Sequence, residues 1–270
     1  MPKVFVTADK IERDGRFIDT RFDMQNVQLG KQLYDEAHIE GAVYWDLDHD
    51  LSDMTKKGGR HPLPDKQALQ ALFEKHGLHY DDAIYIYDQG ASPFATRAWW
   101  ILNYAGFQHA YIVNGGYQAL LDVGFTVTSE LPSYAPSQLT IHWNDSILMT
   151  HQDVLNIVDG KHNATLLDAR AAGRYRGDYE PLDPIAGHIP TAKNYDWEQL
   201  KQDTQLMITS TLLNKIAKDE EIIIYCGSGV TATPVYSVLA QAGYQNIKIY
   251  MGGYSEWVQY QYPVEKGENK

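Results

Sequence analysis

The chain has 270 residues, of which 44% are hydrophobic and 21% charged, a composition typical of globular proteins and a length sufficient for two domains. Its formal net charge of −12 argues against nonspecific binding to nucleic acid or to an anionic membrane, because its surface repels phosphate groups. The single cysteine, Cys226, excludes an intrachain disulfide and a zinc site built from several thiolates.

The amino-terminal stretch MPKVFVTADK lacks the basic segment and the long apolar run of a secretory signal. No stretch of the sequence approaches the roughly 18 consecutive apolar residues of a membrane span. A lone cysteine fits a reducing compartment. The sequence therefore predicts a cytoplasmic protein.

Four sequence blocks of the first half recur in the same order in the second half. FIDTR at 17–21 returns as LLDAR at 166–170, HIEGA at 38–42 as HIPTA at 188–192, IYIYD at 84–88 as IIIYC at 222–226, and YAGFQHAYIVNGGYQAL at 104–120 as QAGYQNIKIYMGGYSEW at 241–257. The offset is 149 or 150 for the first two blocks and 138 or 137 for the last two. We interpret this pattern as a tandem duplication of one unit.

Each half alternates strand-like and helix-like segments. Residues 83–88 and 221–226 are short, apolar, β-rich runs of the kind found in buried parallel strands, and AYIVNGG and IKIYMGG repeat the pattern. Residues 95–106 and 233–243 are helix-like and end in glycine. The predicted fold is α/β, with two tandem domains that each have a mainly parallel sheet and helices on both faces.

Between the repeats, TSELPSYAPSQ at 128–138 is rich in proline, serine and other polar residues and has no helical period. We expect an interdomain linker over 131–145. The amino-terminal domain then covers 1–130 and the carboxy-terminal domain 146–270.

The strand at 221–225 runs directly into the loop from Cys226 to Thr231, and a helical pattern follows with Thr231 or Thr233 as the expected N-cap. Gly227 and Gly229 allow the loop to curl, so that consecutive N–H groups form a site for an anion. The amino-terminal end of the helix adds positive potential. Such a site stabilises a thiolate and, equally, a persulfide.

The loop CGSGVTA at 226–232 resembles the active-site loop of rhodanese-type sulfurtransferases, and in particular the 3-mercaptopyruvate branch. The repeated D-x-R, H-I-x-x-A and strand-to-Gly-Gly blocks also resemble that family, so the resemblance covers nearly the whole chain. It implies two rhodanese-like domains, of which only the second is catalytic, with Cys226 as the nucleophile and Gly227, Gly229, Val230 and Thr231 lining the substrate site.

Features that recur in both halves should mostly serve the fold. We expect Asp19 with Arg21, and Asp168 with Arg170, to form structural ion pairs or turns, and His38 and His188 to be structural. The first half has Asp88 at the position that corresponds to Cys226, and a carboxylate cannot accept a sulfane sulfur. The first domain is therefore predicted to be catalytically inactive.

The segment GRYRG at 173–177 has no counterpart in the first half and resembles the substrate loop of the family. The resemblance implies that Arg174 binds the substrate carboxylate, which suits the two parallel donors of a guanidinium. Arg176 is a second candidate. The animal mercaptopyruvate enzymes often have a further arginine nine positions after the first, and this chain has Asp183 there.

A first-half insert contains Asp48 and His61, and the resemblance places both near Ser228 as a Ser-His-Asp relay. That relay would move protons to and from the leaving enolate, a role that suits histidine near neutral pH. The alternative is a histidine in a solvated polar loop.

The resemblance implies transfer of sulfur from 3-mercaptopyruvate to Cys226, and then to a thiol, thioredoxin or cyanide, without a metal or an organic cofactor. Thiosulfate is the alternative donor, although its enzymes usually carry basic residues directly after the cysteine, where this chain has Gly227 and Ser228. A phosphatase would need an arginine six residues after the cysteine, where this chain has Ala232. A non-enzymatic binding module is the alternative of a different class.

Overall fold

The computed structural model describes residues 3–268. Residues 1–2 of the predicted first domain and residues 269–270 of the predicted second domain lie outside the described part. The first half contains seven strands and four α-helices, listed here in chain order: β1 Phe5–Val6, β2 Arg16–Asp19, α1 Leu29–Glu36, β3 His38–Ile39, β4 Val43–Tyr44, α2 Lys66–Lys75, β5 Ile84–Tyr87, α3 Phe94–Tyr104, β6 Ala110–Val113, α4 Gly116–Asp122 and β7 Val127–Thr128. A 3-10 helix covers Ala8–Lys10.

The second half repeats this alternation of strands and helices. Its elements are β8 Leu148–Met149, α5 His151–Val158, β9 Thr165–Asp168, α6 Ala172–Arg176, β10 Lys193–Asn194, β11 Lys201–Gln202, β12 Gln205–Leu206, α7 Ser210–Leu213, β13 Ile222–Tyr225, α8 Ala232–Gln241, β14 Ile247–Tyr250 and α9 Gly253–Gln259. Two 3-10 helices cover Asp145–Ile147 and Trp197–Leu200.

The two main sheets have the same topology, which confirms the predicted α/β fold. The first has the strand order β1-β6-β5-β2-β4, and the second, read from its other edge, has β8-β14-β13-β9-β10. Every neighbouring pair in both sheets is parallel. The central strands β5 and β13 consist of isoleucine and tyrosine and are buried along their whole length, because helices cover both faces of each sheet.

The recurring D-x-R and histidine positions play the same structural role in both halves. Arg21 binds the Asp19 carboxylate at 2.7 Å, and Arg170 binds Asp168 at the same distance. Both pairs are buried, and their backbone and side-chain hydrogen bonds match. His38 stacks on Tyr34 with ring centroids 3.9 Å apart, and His188 stacks in the same way on Tyr175 at 3.8 Å. The predicted structural ion pairs are therefore confirmed.

The two halves share a hydrophobic core and exchange hydrogen bonds. Helix α3 packs against α8, and one cluster of buried apolar residues extends through both sheets. Nearly every residue of α3 and α8 is buried, as expected for helices enclosed between two sheets. Asn114 of the first half makes two hydrogen bonds to the backbone of Leu206, at 2.8 and 3.2 Å. The two halves are therefore joined by both apolar packing and hydrogen bonds.

The segment predicted as a linker is packed on the first half. Residues 131–144 have neither helix nor strand. Tyr134 donates a hydrogen bond to the Gly41 carbonyl at 2.7 Å and stacks under the Arg16 guanidinium. The boundaries 1–130, 131–145 and 146–270 stay a prediction. Over residues 3–268, no helix has the length and apolar character needed to cross a membrane.

Candidate active site

The loop that carries Cys226 leaves the carboxyl end of β13 and turns into α8. Cys226 is only 1% exposed, and its carbonyl oxygen accepts a hydrogen bond from Tyr254 N at 2.8 Å. Gly229 has a φ of +75°, and a Cβ added there would overlap the Met251 carbonyl oxygen. Glycine is therefore required both by the left-handed turn and by the close approach of two loops.

Helix α8 begins six residues after Cys226 without the predicted side-chain cap. Thr231 occupies the N-cap position, but its side chain makes no capping hydrogen bond. Thr233 donates its hydroxyl to the Val230 carbonyl at 2.8 Å instead. The positive end of the helix dipole thus follows the cysteine loop directly, and the Thr231 hydroxyl does not accept a hydrogen bond from the first N–H groups of the helix.

Ser228 and two side chains of the first half, His61 and Asp48, form a row of polar groups. His61 Nδ1 lies 2.8 Å from the Ser228 hydroxyl oxygen, and both side chains are buried. His61 Nε2 lies 3.6 Å from Asp48 Oδ1, within ion-pair range but too far for a hydrogen bond. The carboxylate favours the proton on Nε2, so Nδ1 accepts from the Ser228 hydroxyl. The structure therefore brings these three residues together, with Asp48 as the loosest member.

Burial controls the protonation of this row. It lowers the pKa of His61 to about 3, and the positive charges of Arg97 and Arg60 act in the same direction. Burial raises the pKa of Asp48, and the neighbouring Asp46 carboxylate adds to the rise. Asp48 Oδ1 is buried without a hydrogen-bond partner. At neutral pH His61 is therefore uncharged.

Arg97, in α3, is a buried cation that the sequence prediction missed. Its guanidinium donates to the carbonyl oxygens of Leu51 and His61 at 2.8 to 3.1 Å, and across residues 3–268 no carboxylate pairs with it. Burial lowers the pKa of Arg97 to about 10, and the charge of Cys226 opposes this decrease. The equivalent position in the second half, 137 residues later, is Pro234. Because features present in only one half are candidates for chemistry, a comparison of the halves could have identified Arg97.

Four charged side chains cluster over the cysteine loop. Arg174, in α6, binds Glu180 at 2.8 to 3.2 Å through Nε and Nη2, and its Nη2 also lies 3.3 Å from Asp183 Oδ2. Arg60 of the first half pairs with the other oxygen of Asp183. A Cβ added to Gly227 would overlap Arg60 Nη2 and would lie 3.5 Å from Arg174 Nη2. Both guanidinium groups therefore lie beside Gly227, the residue that follows Cys226.

The remaining predicted substrate residues lie outside this cluster. The Arg176 side chain is 36% exposed and pairs with Asp178 at 2.7 Å and Glu268 at 3.5 Å. Val230 is buried in the shared core, and Thr231 is half-buried at the start of α8. The substrate-binding roles of these three residues stay predictions.

The corresponding loop of the first half holds a carboxylate. Asp88 Oδ1 accepts a hydrogen bond from Gly90 N at 2.8 Å, and its Oδ2 accepts one from Ala95 N at 3.1 Å. Burial raises the pKa of Asp88 to about 6, and these backbone hydrogen bonds oppose the rise. The strand-to-helix loop of this fold thus binds a negative group through backbone N–H groups, at the position that corresponds to Cys226.

Comparison with known proteins identifies the same duplicated unit. A family model described as a rhodanese-like domain matches residues 7–122 and again 150–260. A probable 3-mercaptopyruvate sulfurtransferase of Pseudomonas aeruginosa is 36% identical over 257 residues, which cover 92% of this chain and 90% of the relative. A putative thiosulfate sulfurtransferase of Mycobacterium tuberculosis, SseB, is 34% identical and aligns over 84% of this chain and 82% of its own.

Among solved structures, SseA from Escherichia coli, a 3-mercaptopyruvate sulfotransferase with the rhodanese fold, matches with a TM-score of 0.79 at 28% identity. The match covers 94% of this chain and 99% of SseA. The similarity therefore extends over both halves and includes the arrangement of one half against the other.

Proposed function

This chain belongs to the rhodanese-like family and is a sulfurtransferase, and from this premise we propose that Cys226 carries the transferred sulfur as a persulfide. The observation that supports this role best is the buried Cys226 at a strand-to-helix turn, next to Arg97, a buried cation without a carboxylate partner. The carboxylate of Asp88 in the corresponding first-half loop is independent support that this turn favours a negative group.

In the first half-reaction, the Cys226 thiolate attacks the sulfur of 3-mercaptopyruvate. The new S–S bond forms as the C–S bond breaks, and the electron pair of the C–S bond leaves with the carbon as the enolate of pyruvate. The proton that was on the donor sulfur moves to the enolate carbon through the Ser228 hydroxyl and His61 Nδ1. The products are pyruvate and a Cys226 persulfide anion.

In the second half-reaction, a thiolate or cyanide attacks the outer sulfur of the persulfide. The S–S bond breaks, its electron pair returns to Cys226, and the acceptor leaves as a persulfide or as thiocyanate. Because this chain has no second cysteine, any thiol acceptor is another molecule, and the kinetics are ping-pong. A general sulfur donor and a thiol or cyanide acceptor follow from the family, and thioredoxin is our proposed protein acceptor.

The donor is assigned by the charges directly after the nucleophile. Thiosulfate would transfer its outer sulfur and release sulfite, so its site must stabilise two negative charges. Gly227 and Ser228 carry no positive charge, and each arginine over the loop already pairs with Asp183. A donor with a single carboxylate and a ketone is the better fit. Thiosulfate remains the second candidate, because one relative is described as a putative thiosulfate sulfurtransferase.

The proposal is tested by sulfur transfer to cyanide, measured as thiocyanate, with mercaptopyruvate and thiosulfate compared as donors. Wild type and Cys226→Ser are assayed together, since serine fits the same buried space. Preference for mercaptopyruvate that disappears in Cys226→Ser supports the proposal. Preference for thiosulfate would overturn the donor assignment and keep the persulfide. Activity with either donor that survives in Cys226→Ser would overturn the persulfide itself.

We also propose a cytoplasmic location and no nucleic-acid or membrane partner. A free cysteine that must stay reduced between turnovers supports the first, and the net charge of −12 supports the second. Cell fractionation followed by immunodetection tests the location, and recovery of the protein with periplasmic or membrane markers would contradict it.

A further inference from the structure

His61 lies on a loop without regular secondary structure. Residues 51–62, called here the relay loop, contain neither helix nor strand, and a backbone hydrogen bond of 2.8 Å from Asp53 N to the Pro62 carbonyl closes the loop. His61 Nδ1 nevertheless lies 2.8 Å from the Ser228 hydroxyl oxygen of the other half. Because a hydrogen bond tolerates displacements of only a few tenths of an ångström, contacts other than strand pairing must hold the relay loop in place.

Arg97, in α3, donates hydrogen bonds to both ends of the relay loop. Its Nε and Nη2 donate to the Leu51 carbonyl at 3.1 and 2.8 Å, and Nη2 also donates to the His61 carbonyl at 3.0 Å. All three residues are buried. A guanidinium presents its donors in a rigid fork, so the two carbonyls are held at a set separation. Since the His61 carbonyl and ring belong to one residue, the same contact limits where the ring can lie.

The segment of the second half that takes the equivalent place is built differently. It is the antiparallel hairpin of β11 and β12, in which backbone pairing joins the two strands. A Cβ added to Gly90 would lie 3.0 Å from the Thr204 carbonyl oxygen, so the hairpin packs on the first-half loop as the relay loop packs on the cysteine loop. The residue equivalent to Arg97 is Pro234, which has no such donors. Arg97 therefore accompanies the segment that lacks backbone pairing and contains a relay residue.

A second contact holds the middle of the relay loop from the other half of the molecule. Ser255 Oγ accepts a hydrogen bond from Arg60 N at 3.1 Å and donates one to the Gly252 carbonyl at 3.2 Å. Ser255 is 2% exposed, so water does not compete for this contact. The relay loop is thus held at its ends by Arg97 and between them by Ser255.

We propose that Arg97 is a positioning residue for His61, which it holds against Ser228 by clamping both ends of the relay loop, with Ser255 as a second anchor. The inference rests on the proposed function, since it concerns how the relay of that reaction is assembled. A relay that is in place before the donor arrives lowers the barrier to proton transfer. This role is separate from the effect of the Arg97 charge on Cys226, because a lysine would keep the charge without the fork of donors.

The test is the single-turnover rate of pyruvate release from mercaptopyruvate in Arg97→Lys, alone and combined with His61→Gln. The rate should fall about 10-fold in Arg97→Lys, while KM changes less than about 2-fold, because a displaced relay slows proton delivery and not donor binding. Alkylation of Cys226 by iodoacetamide should stay close to the wild-type rate, since the charge is kept. The double variant should be no slower than His61→Gln alone, because Arg97 acts through His61.

Arg16 provides the matched control. It also donates to two backbone carbonyls, those of His76 and Gly77, but it stands at the start of β2, at the opposite end of the sheet from the strand-to-helix loops. Arg16→Lys should therefore leave the rate of pyruvate release unchanged. Thermal unfolding checks that each variant is folded. If Arg97→Lys is not folded, Ser255→Ala decides, with an expected slowing of about 3-fold that disappears in the His61→Gln background.

The outcomes separate this inference from the proposed function. Wild type without Cys226-dependent turnover would refute the proposed function. With normal wild-type turnover, an unchanged rate in folded Arg97→Lys, or a slowing that persists in the His61→Gln background, would overturn the positioning role alone. The same two results in Ser255→Ala would overturn it where that variant decides.

Discussion

Thr96 and Thr233 meet at the boundary between the two halves, with their hydroxyl oxygens 2.8 Å apart. They are 137 residues apart, the same offset as that between Gly115 and Gly252, so they are equivalent positions of the duplicated unit. Contact between equivalent residues is the arrangement expected where two halves are related by an approximate twofold axis. Such an axis accounts for the position of first-half residues such as His61, which contacts Ser228 in the cysteine loop of the second half.

The Ser228–His61 contact predicts a unit in which the two residues act together. We expect Ser228→Ala and His61→Gln each to lower kcat for mercaptopyruvate by about 100-fold, because proton delivery to the enolate is lost. The double variant should be no slower than the slower single variant, because either change breaks the same proton path. Single-turnover release of pyruvate measures this. Multiplication of the two effects would show that the residues act independently.

Arg97 predicts a dependence of cysteine reactivity on a first-half side chain. Arg97→Met should slow the alkylation of Cys226 by iodoacetamide at pH 7 about 10-fold, because a nearby cation favours the thiolate. Arg97→Lys, which keeps a positive charge, should retain much of the rate. Thermal unfolding of each variant checks that the fold is kept. Equal alkylation rates in wild type and in a folded Arg97→Met would contradict this role.

Burial of neutral His61 predicts a stability that decreases in mild acid. Its pKa is lowered in the folded protein to about 3 from an ordinary 6.5, so protonation favours the unfolded chain. The stabilisation is therefore complete above pH 6.5 and is lost as the pH falls from there toward 3. Between pH 7 and 5.5 this one group should cost about 1 kcal/mol of unfolding free energy.

Urea unfolding of wild type and His61→Gln at both pH values measures this contribution. Burial also lowers the pKa of His76, to about 4, and His76 is present in both proteins. The contribution of His61 is therefore the difference between the stability losses of wild type and variant. The variant should lose less stability than wild type over the same interval. Parallel losses would show that His61 is accessible to protons in the folded state.

Gly229 predicts a substitution whose effect comes from packing as well as from backbone strain. Gly229→Ala adds a methyl group that overlaps the Met251 carbonyl oxygen, at a φ of +75°. Gly124→Ala is the matched control, with a φ of +79° and open space around its added Cβ. The free energy of unfolding of the control should fall by about 1 kcal/mol, because alanine is strained in the left-handed backbone conformation. Urea unfolding should show a larger decrease for Gly229→Ala, and the thiocyanate assay should show the loss of most of its sulfur-transfer activity. Equal decreases in unfolding free energy for the two variants would contradict the packing argument.

The sequence predicted the fold well because the duplicated blocks are local patterns. The strands at 83–88 and 221–226 were expected from apolar, β-rich runs, and they are observed as Ile84–Tyr87 and Ile222–Tyr225. The helices at 95–106 and 233–243 are observed as Phe94–Tyr104 and Ala232–Gln241. Such patterns indicate which residues of one segment are buried, and burial along a segment is what distinguishes these strands and helices in the structure.

The site was only partly predictable, because its contacts join residues that are far apart in the chain. The pairing of Arg60 with Asp183 spans 123 residues, and no local pattern relates them. Arg97 lies in a helix with a buried, apolar pattern, which alone does not identify a buried cation; only the comparison with Pro234 at the equivalent position of the second half offers a signal. The side chain of Thr231 does not form the expected cap, because Thr233 bonds to Val230 instead and the choice depends on local geometry.

The carboxylate of Asp88 has a consequence for how an inactive form of this enzyme is best made. An alanine substitution at Cys226 removes a group that interacts electrostatically with the buried Arg97, so such a variant differs from the enzyme in electrostatics as well as in chemistry. In the first half, a strand-to-helix loop of the same kind already folds around a fixed anion. Cys226→Asp would therefore be a charge-matched imitation of the persulfide that we propose, suitable for capturing an acceptor protein that binds the persulfide form.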